Sequence, residues 1–187
     1  MCDKENKRIQ CFNENGEYIS CFTTDTKQPE SIAMMTDGRL AVCHDTTPND
    51  SSFVTIYTKG GSMVSRIRSG NMVNNCSFRD IKCRKDELYV TMSEIDQVIV
   101  VTDMGNTVRT IGNIRDNSWC NGVAVAEDGH VLKTEGLPSS CVSIWSPAGE
   151  CVHQIPSSVN MRPYHLTFMA DGALVVVSGA KEIKIFL

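Results

Sequence analysis

The chain has 187 residues, 41% of them hydrophobic and 21% charged, with a formal net charge of -4. That composition excludes collagen and intrinsic disorder, and at this length folding can bury roughly 70% of the unfolded surface without disulfide staples. The balance of 18 Lys+Arg against 22 Asp+Glu argues against a dedicated polyanion binder, whose domain would be clearly basic.

At the N-terminus the charges from Asp3 to Arg8 have no apolar stretch behind them, and the longest apolar runs, Val98–Val101 and Ala173–Val177, fall far short of a membrane span. Neither a secretion signal nor a membrane partner is expected. Nine cysteines, at positions 2, 11, 21, 43, 76, 83, 120, 141 and 151, include no C-x-x-C pair, so neither a zinc knuckle nor a redox dithiol is indicated. The alternation of most of them with apolar residues, as in Ile9-Gln10-Cys11-Phe12, predicts small buried thiols in a reducing, cytoplasmic setting. The sequons at Asn49 and Asn75 would matter only in a secreted chain.

In chain order, a turn glycine follows a short apolar strand at Gly16, Gly61, Gly105 and Gly149, at spacings of 45, 44 and 44. The strands before those glycines are Ile9–Phe12, Val54–Tyr57, Val98–Val101 and Val142–Trp145, and Ile183–Phe186 repeats them at the C-terminus. After each glycine comes another extended stretch: Glu17–Phe22, Met63–Ile67, Thr107–Ile111 and Cys151–Ile155. A second marker has the same period. Asp37-Gly38, Asp128-Gly129 and Asp171-Gly172 each separate two alternating apolar runs, which predicts hairpins with type I′ turns, because both central residues of that turn need positive φ. The remaining copy has Asp86-Glu87 there, and its turn must differ.

Four short strands per period of about 44 residues, without helical periodicity, predict an all-β fold: a β-propeller of four-stranded antiparallel blades. A sandwich would also need many short strands, but would not return the same four-strand motif at a fixed interval. The expected single domain, 1–187, comprises a partial blade at 7–22, blades at about 29–68, 78–112 and 120–156, and a partial blade at 163–187. The chain thus opens and closes on the third strand of a blade. Its length corresponds to about four blades, read either as an incomplete propeller or as a self-closed four-bladed disc.

The blade pattern resembles the NHL-repeat family. Its matching positions include Pro29, Ile32, Ala33, Asp37, Gly38, Leu40, Val42, Ile56 and Tyr57 in one blade. Another offers Gly122, Val123, Ala124, Asp128, Gly129, Val131, Ile144, Trp145 and Gly149, and the last Pro163, Leu166, Asp171, Gly172, Leu174, Val176, Ile185 and Phe186. The Asp and Asn that follow the second strand in that family are replaced here by Cys43-His44-Asp45, Thr91-Met92-Ser93, Lys133-Thr134-Glu135 and Val177-Ser178-Gly179, so the likeness is to a divergent member such as the C-terminal domain of a tripartite-motif protein. The resemblance implies a scaffold for protein or RNA. In tripartite-motif relatives a separate RING domain supplies ubiquitin-ligase activity, and its cysteine and histidine spacings are absent from this chain.

No nucleophile elbow, P-loop, dinucleotide fingerprint or H-E-x-x-H motif occurs, so no catalytic residue, metal or cofactor is assigned. A lactonase-like hydrolase is the enzyme alternative that propeller architecture suggests, and of the residues leading into first strands only Asn121 and His165 would suit its metal. The binding reading uses the same positions. Residues leading into the innermost strand of successive blades should ring the channel mouth, which selects Arg79, Trp119, Asn121, Arg162, Tyr164 and His165 as candidate ligand contacts. Packing between blades is the alternative for Trp119 and Tyr164. Protein is the expected partner on grounds of charge. Single-stranded RNA is the alternative, with bases on the aromatics and phosphates on Arg79, Arg162 and Arg115. Self-association through the unfinished blade is a further expectation.

Overall fold

The computed structural model describes residues 1–24, 28–45, 52–68, 76–113, 119–136, 140–156, 162–179 and 182–186. Among the described residues eighteen strands make five antiparallel sheets, each a run of strands consecutive in sequence. The first sheet holds β1 (Cys2–Asp3), β2 (Arg8–Phe12) and β3 (Tyr18–Thr23). The second holds β4 (Gln28–Met34), β5 (Leu40–Asp45), β6 (Phe53–Tyr57) and β7 (Met63–Arg68). The third holds β8 (Phe78–Arg84), β9 (Glu87–Met92), β10 (Gln97–Val101) and β11 (Thr107–Ile111). In the fourth are β12 (Val123–Val125), β13 (Val131–Glu135), β14 (Cys141–Trp145) and β15 (Cys151–Pro156). The fifth consists of β16 (Pro163–Phe168), β17 (Leu174–Ser178) and β18 (Ile183–Phe186).

The blade number is therefore five and not about four. Two features account for the difference. The chain opens on a strand that the sequence reading missed, since β1 is only two residues long and carries no alternation. The terminal sheets also stay apart: the first lacks an innermost strand and the last an outermost one, so neither supplies what the other lacks.

Neighbouring blades meet along their inner strands, β1 with β4, β4 with β8, β8 with β12, and both β12 and β13 with β16. One apolar cluster fills each of the four junctions. Ile9, Leu40, Val42 and Tyr57 lie between the first and second blades, and Ala41, Val54, Ile56, Ile81, Leu88 and Ile99 between the second and third. Tyr89, Val98, Val100, Val123, Val131 and Trp145 join the third to the fourth, and Ala124, Leu132, Val142, Leu166 and Val176 the fourth to the fifth. Burying each large aliphatic side chain contributes about 1.5–3 kcal/mol, so the junctions are the main source of stability.

The Asp-Gly hairpins form, but not with type I′ turns. Gly38, Gly129 and Gly172 take φ of +85, +98 and +90, whereas the aspartates before them do not enter the left-handed region. The Gly38 N–H closes a four-residue turn on the Met35 carbonyl, and the Asp37 carboxylate accepts from the Arg39 N–H at 2.9 Å. This is a turn followed by a left-handed bulge residue, in which aspartate serves as the acceptor for an N–H two residues on. The copy without glycine has the tighter turn. Lys85 and Asp86 both adopt positive φ, 48 and 62, between the paired residues Arg84 and Glu87.

A second irregularity matters more for the site. At the start of the innermost strand, Pro29 pairs with His44 and Ser31 with Cys43, leaving Glu30 as an extra residue. In the fifth blade Pro163 pairs with Ser178 and His165 with Val177, leaving Tyr164. In the third, Phe78 pairs with Met92 and Ile81 with Val90, so Arg79 and Asp80 face Thr91 alone. Such bulges re-aim side chains out of the ladder.

Candidate functional site

The bulges free Glu30, Arg79 and Tyr164 from the ladder at the starts of the inner strands of the second, third and fifth blades, and Asn121 holds the equivalent sequence position in the fourth, just ahead of β12. Each lies seven residues before the aspartate of its hairpin turn, at Asp37, Asp86, Asp128 and Asp171. Threonine hydroxyls complete the backbone where the ladder is broken. Thr91 Oγ1 accepts from the N–H groups of Arg79 and Asp80 at 3.3 and 2.8 Å, and Thr134 Oγ1 from those of Asn121 and Gly122 at 3.1 and 2.9 Å. Thr91 and Thr134 are a sequence signal that the strand alternation alone did not reveal.

The inner strands are stapled across blades. Asp80 is buried, and its carboxylate accepts from Ser31 Oγ at 2.7 Å in the second blade and from the Val123 N–H at 3.1 Å in the fourth, with Lys82 Nζ at 3.2 Å. One side chain thus ties three blades. Between the fourth and fifth blades the contact is backbone to backbone: a Cβ on Gly122 would lie 2.7 Å from the Tyr164 carbonyl oxygen and 2.9 Å from His165 Cα.

Arg79, Ser93, Glu94, Trp119, Asn121 and Tyr164 line a cavity of about 170 Å³ at the mouth. Four of the six residues selected from the sequence therefore meet in one place. His165 is exposed beside it, its ring edge-to-face with Tyr164 at 5.2 Å, and Arg162 is exposed with its carbonyl accepting from the Gly179 N–H at 2.9 Å. Arg115 lies outside the described residues. Trp119 and Tyr164 do not fill blade junctions; they are 61% and 43% exposed.

Charge at the mouth is largely paired. Glu30 Oε1 lies 2.9 Å from Arg79 Nη1 and 2.6 Å from Lys4 Nζ. Glu94, on a one-turn 3₁₀ helix at Ser93–Ile95, accepts from the Ser77 N–H at 2.5 Å, and the Ser93 carbonyl accepts from the Cys120 N–H at 3.3 Å. Ser93 and Glu94 were not selected from the sequence because they follow the second strand of their blade and do not lead into a first strand. Beneath them burial pushes the Cys120 thiol up to about 12, so it is neutral at physiological pH.

A second, open groove of about 550 Å³ lies at the opposite end, between Val125–Asp128 and Phe168–Gly172. Two of its three carboxylates are engaged locally, Asp128 with His130 Nδ1 at 2.9 Å and Asp171 with the Ala173 N–H at 3.0 Å. Among the described residues no group of three His, Cys, Asp or Glu is placed to hold a metal ion. No helix among them is long and apolar enough to cross a membrane.

This arrangement of sheets has solved counterparts. Virginiamycin B lyase from Staphylococcus aureus superposes with a TM-score of 0.73 over 98% of this chain and 64% of its own, at 15% identity. The WD40 β-propeller domain of Doa1 gives 0.72 over 97% and 57%, at 12% identity. A chain of a mitotic checkpoint complex gives 0.69 over 96% and 56%, at 17% identity. The chain has the β-propeller fold. It spans less than two thirds of the length of these propellers, and identities this low extend the likeness to fold alone. No protein-family model matches the chain, and no curated protein does.

Proposed function

We propose that this propeller is a noncatalytic recognition module that binds a protein partner at the mouth, as a divergent NHL-type scaffold would. The observation that carries the reading is the cavity itself: consecutive blades deliver Arg79, Trp119, Asn121 and Tyr164 to one place, with two aromatic rings left exposed. Aromatic and arginine side chains around a small recess are the residue types that dominate protein recognition sites. Charge supports protein over RNA. Arg79 is matched by Glu30, and the Glu94 carboxylate at the rim would repel a phosphate. Propellers act as interaction scaffolds on many folds of this type, and the likeness to a checkpoint-complex chain agrees with that use. All nine cysteines are free thiols, which supports a reducing compartment such as the cytoplasm.

The test is capture from lysate with and without nuclease, comparing the native chain with the combined variant Trp119→Ala, Asn121→Ala and Tyr164→Ala. Recovery of a protein that resists nuclease and is lost in the variant is the expected result. Recovery that vanishes with nuclease would transfer the function to RNA, and recovery unchanged by the variant would remove the mouth as the site.

A further inference from the structure

We infer that the mouth cavity receives a proline-rich segment in the polyproline II conformation, a deepening that rests on the protein-recognition reading above. Asn121 provides the first observation. Its residue is only 8% exposed and it lines the cavity, yet among the described residues its carboxamide makes no hydrogen bond; only its backbone N–H is engaged, by Thr134. Neither atom of that carboxamide is sealed from solvent; both stay open to the recess, where a ligand that enters can take the place of water.

The same holds for the neighbouring donors. Neither the Trp119 indole N–H nor the Tyr164 hydroxyl has a hydrogen-bond partner among the described residues, and both rings border the cavity. The charged groups, in contrast, are engaged: Arg79 by Glu30, and Glu94 by the Ser77 N–H. What the cavity offers is therefore flat apolar surface with uncharged donors around it.

The complementary ligand has flat apolar rings, spare acceptors, few donors and no charge. Polyproline II meets all four conditions, because its carbonyls make no internal hydrogen bonds and each proline lacks an N–H. Aromatic-lined recesses exploit this preformed conformation at low entropic cost. A volume of about 170 Å³ admits one such ring, so the prolyl ring enters between the aromatics while the flanking residues cross the rim. The Asn121 amide then donates to a ligand carbonyl, and its oxygen serves the N–H of a non-prolyl neighbour. A nucleobase would also stack, but it brings a phosphate toward Glu94.

Trp119 makes the test direct. The chain has two tryptophans; Trp145 is buried with its N–H donated to Ser143 Oγ at 2.8 Å, so a change in emission on titration reports Trp119. The 187-residue chain is titrated with acetylated, amidated decaproline, with a Gly-Ser decapeptide and with decauridylate. A saturable blue shift with decaproline alone is expected, weakened about tenfold by Asn121→Ala and by Tyr164→Ala with unchanged melting temperatures. Silence with decaproline overturns the proposal, as does a response that survives both substitutions together or one elicited by decauridylate in its place. If decaproline is silent while nuclease-resistant capture still depends on the mouth, the ligand assignment fails and the recognition reading stands. If capture ignores the mouth variant, the recognition reading itself fails.

Discussion

Two neighbouring junctions of this propeller are each filled by an apolar cluster but differ in what is buried beside it. Between the third and fourth blades, Lys133 is buried to 1% exposure, with Nζ 2.7 Å from Asp96 Oδ1, 3.0 Å from the Asp96 carbonyl and 3.3 Å from Glu135 Oε1. Burial opposes its charge, but the surrounding thiol and carboxylates outweigh that and hold its pKa above the ordinary lysine value. Between the fourth and fifth blades the cluster is apolar, Ala124, Leu132, Val142, Leu166 and Val176, and the inner strands touch through Gly122. The repeat thus specifies geometry, and each junction reaches it by whatever chemistry its side chains allow. The consequence is that equivalent positions differ sharply in what they tolerate.

The largest effect is expected at the ionic junction. Lys133→Met leaves the Asp96 and Glu135 carboxylates buried without their cation, a loss of about 3–5 kcal/mol measurable by urea unfolding. Adding Asp96→Leu and Glu135→Leu should restore much of it, since an apolar replacement of a whole buried ion cluster is often neutral or better. Failure of the triple variant to recover would mean that the junction needs those hydrogen bonds and not merely charge balance. The pH dependence follows from the sign of the shift. With the folded pKa raised, the contribution of Lys133 is complete below the ordinary value of 10.5 and is lost as pH rises through the folded value, so melting temperature should fall at alkaline pH in the native chain and less in the triple variant.

At the apolar junction Gly122→Ala should cost about 1–3 kcal/mol by driving the two inner strands apart, with a parallel loss of binding because Tyr164 shifts with its backbone. A stability loss without a binding loss would separate that strand contact from the mouth. The smallest effect on stability belongs to Trp119→Ala, within about 0.5 kcal/mol, because the ring is 61% exposed and holds no junction together. A larger destabilisation would convert Trp119 from a contact residue into a packing one.

The repeat was legible because strand periodicity and turn glycines recur at a fixed interval, and neither depends on distant partners. Turn type was not. Whether Asp37 or Lys85 becomes left-handed depends on hairpin register, which pairing across the two strands sets. At the mouth, Arg79, Asn121 and Tyr164 could be selected because they lead into equivalent strands, and Glu94 could not because it follows a second strand. Lys133, Asp96 and Glu135 read as ordinary solvated charges until the blades are stacked, for nothing local relates residues 37 positions apart.

By itself the sequence determined the strand repeat and the blade as its unit, since alternation and turn chemistry act over a few residues. The tertiary structure decided the blade count, the bulges that free Glu30, Arg79 and Tyr164 from the ladder, and which charges are buried together. Those outcomes depend on contacts between blades, and only stacking five separate sheets brings such residues within hydrogen-bonding distance.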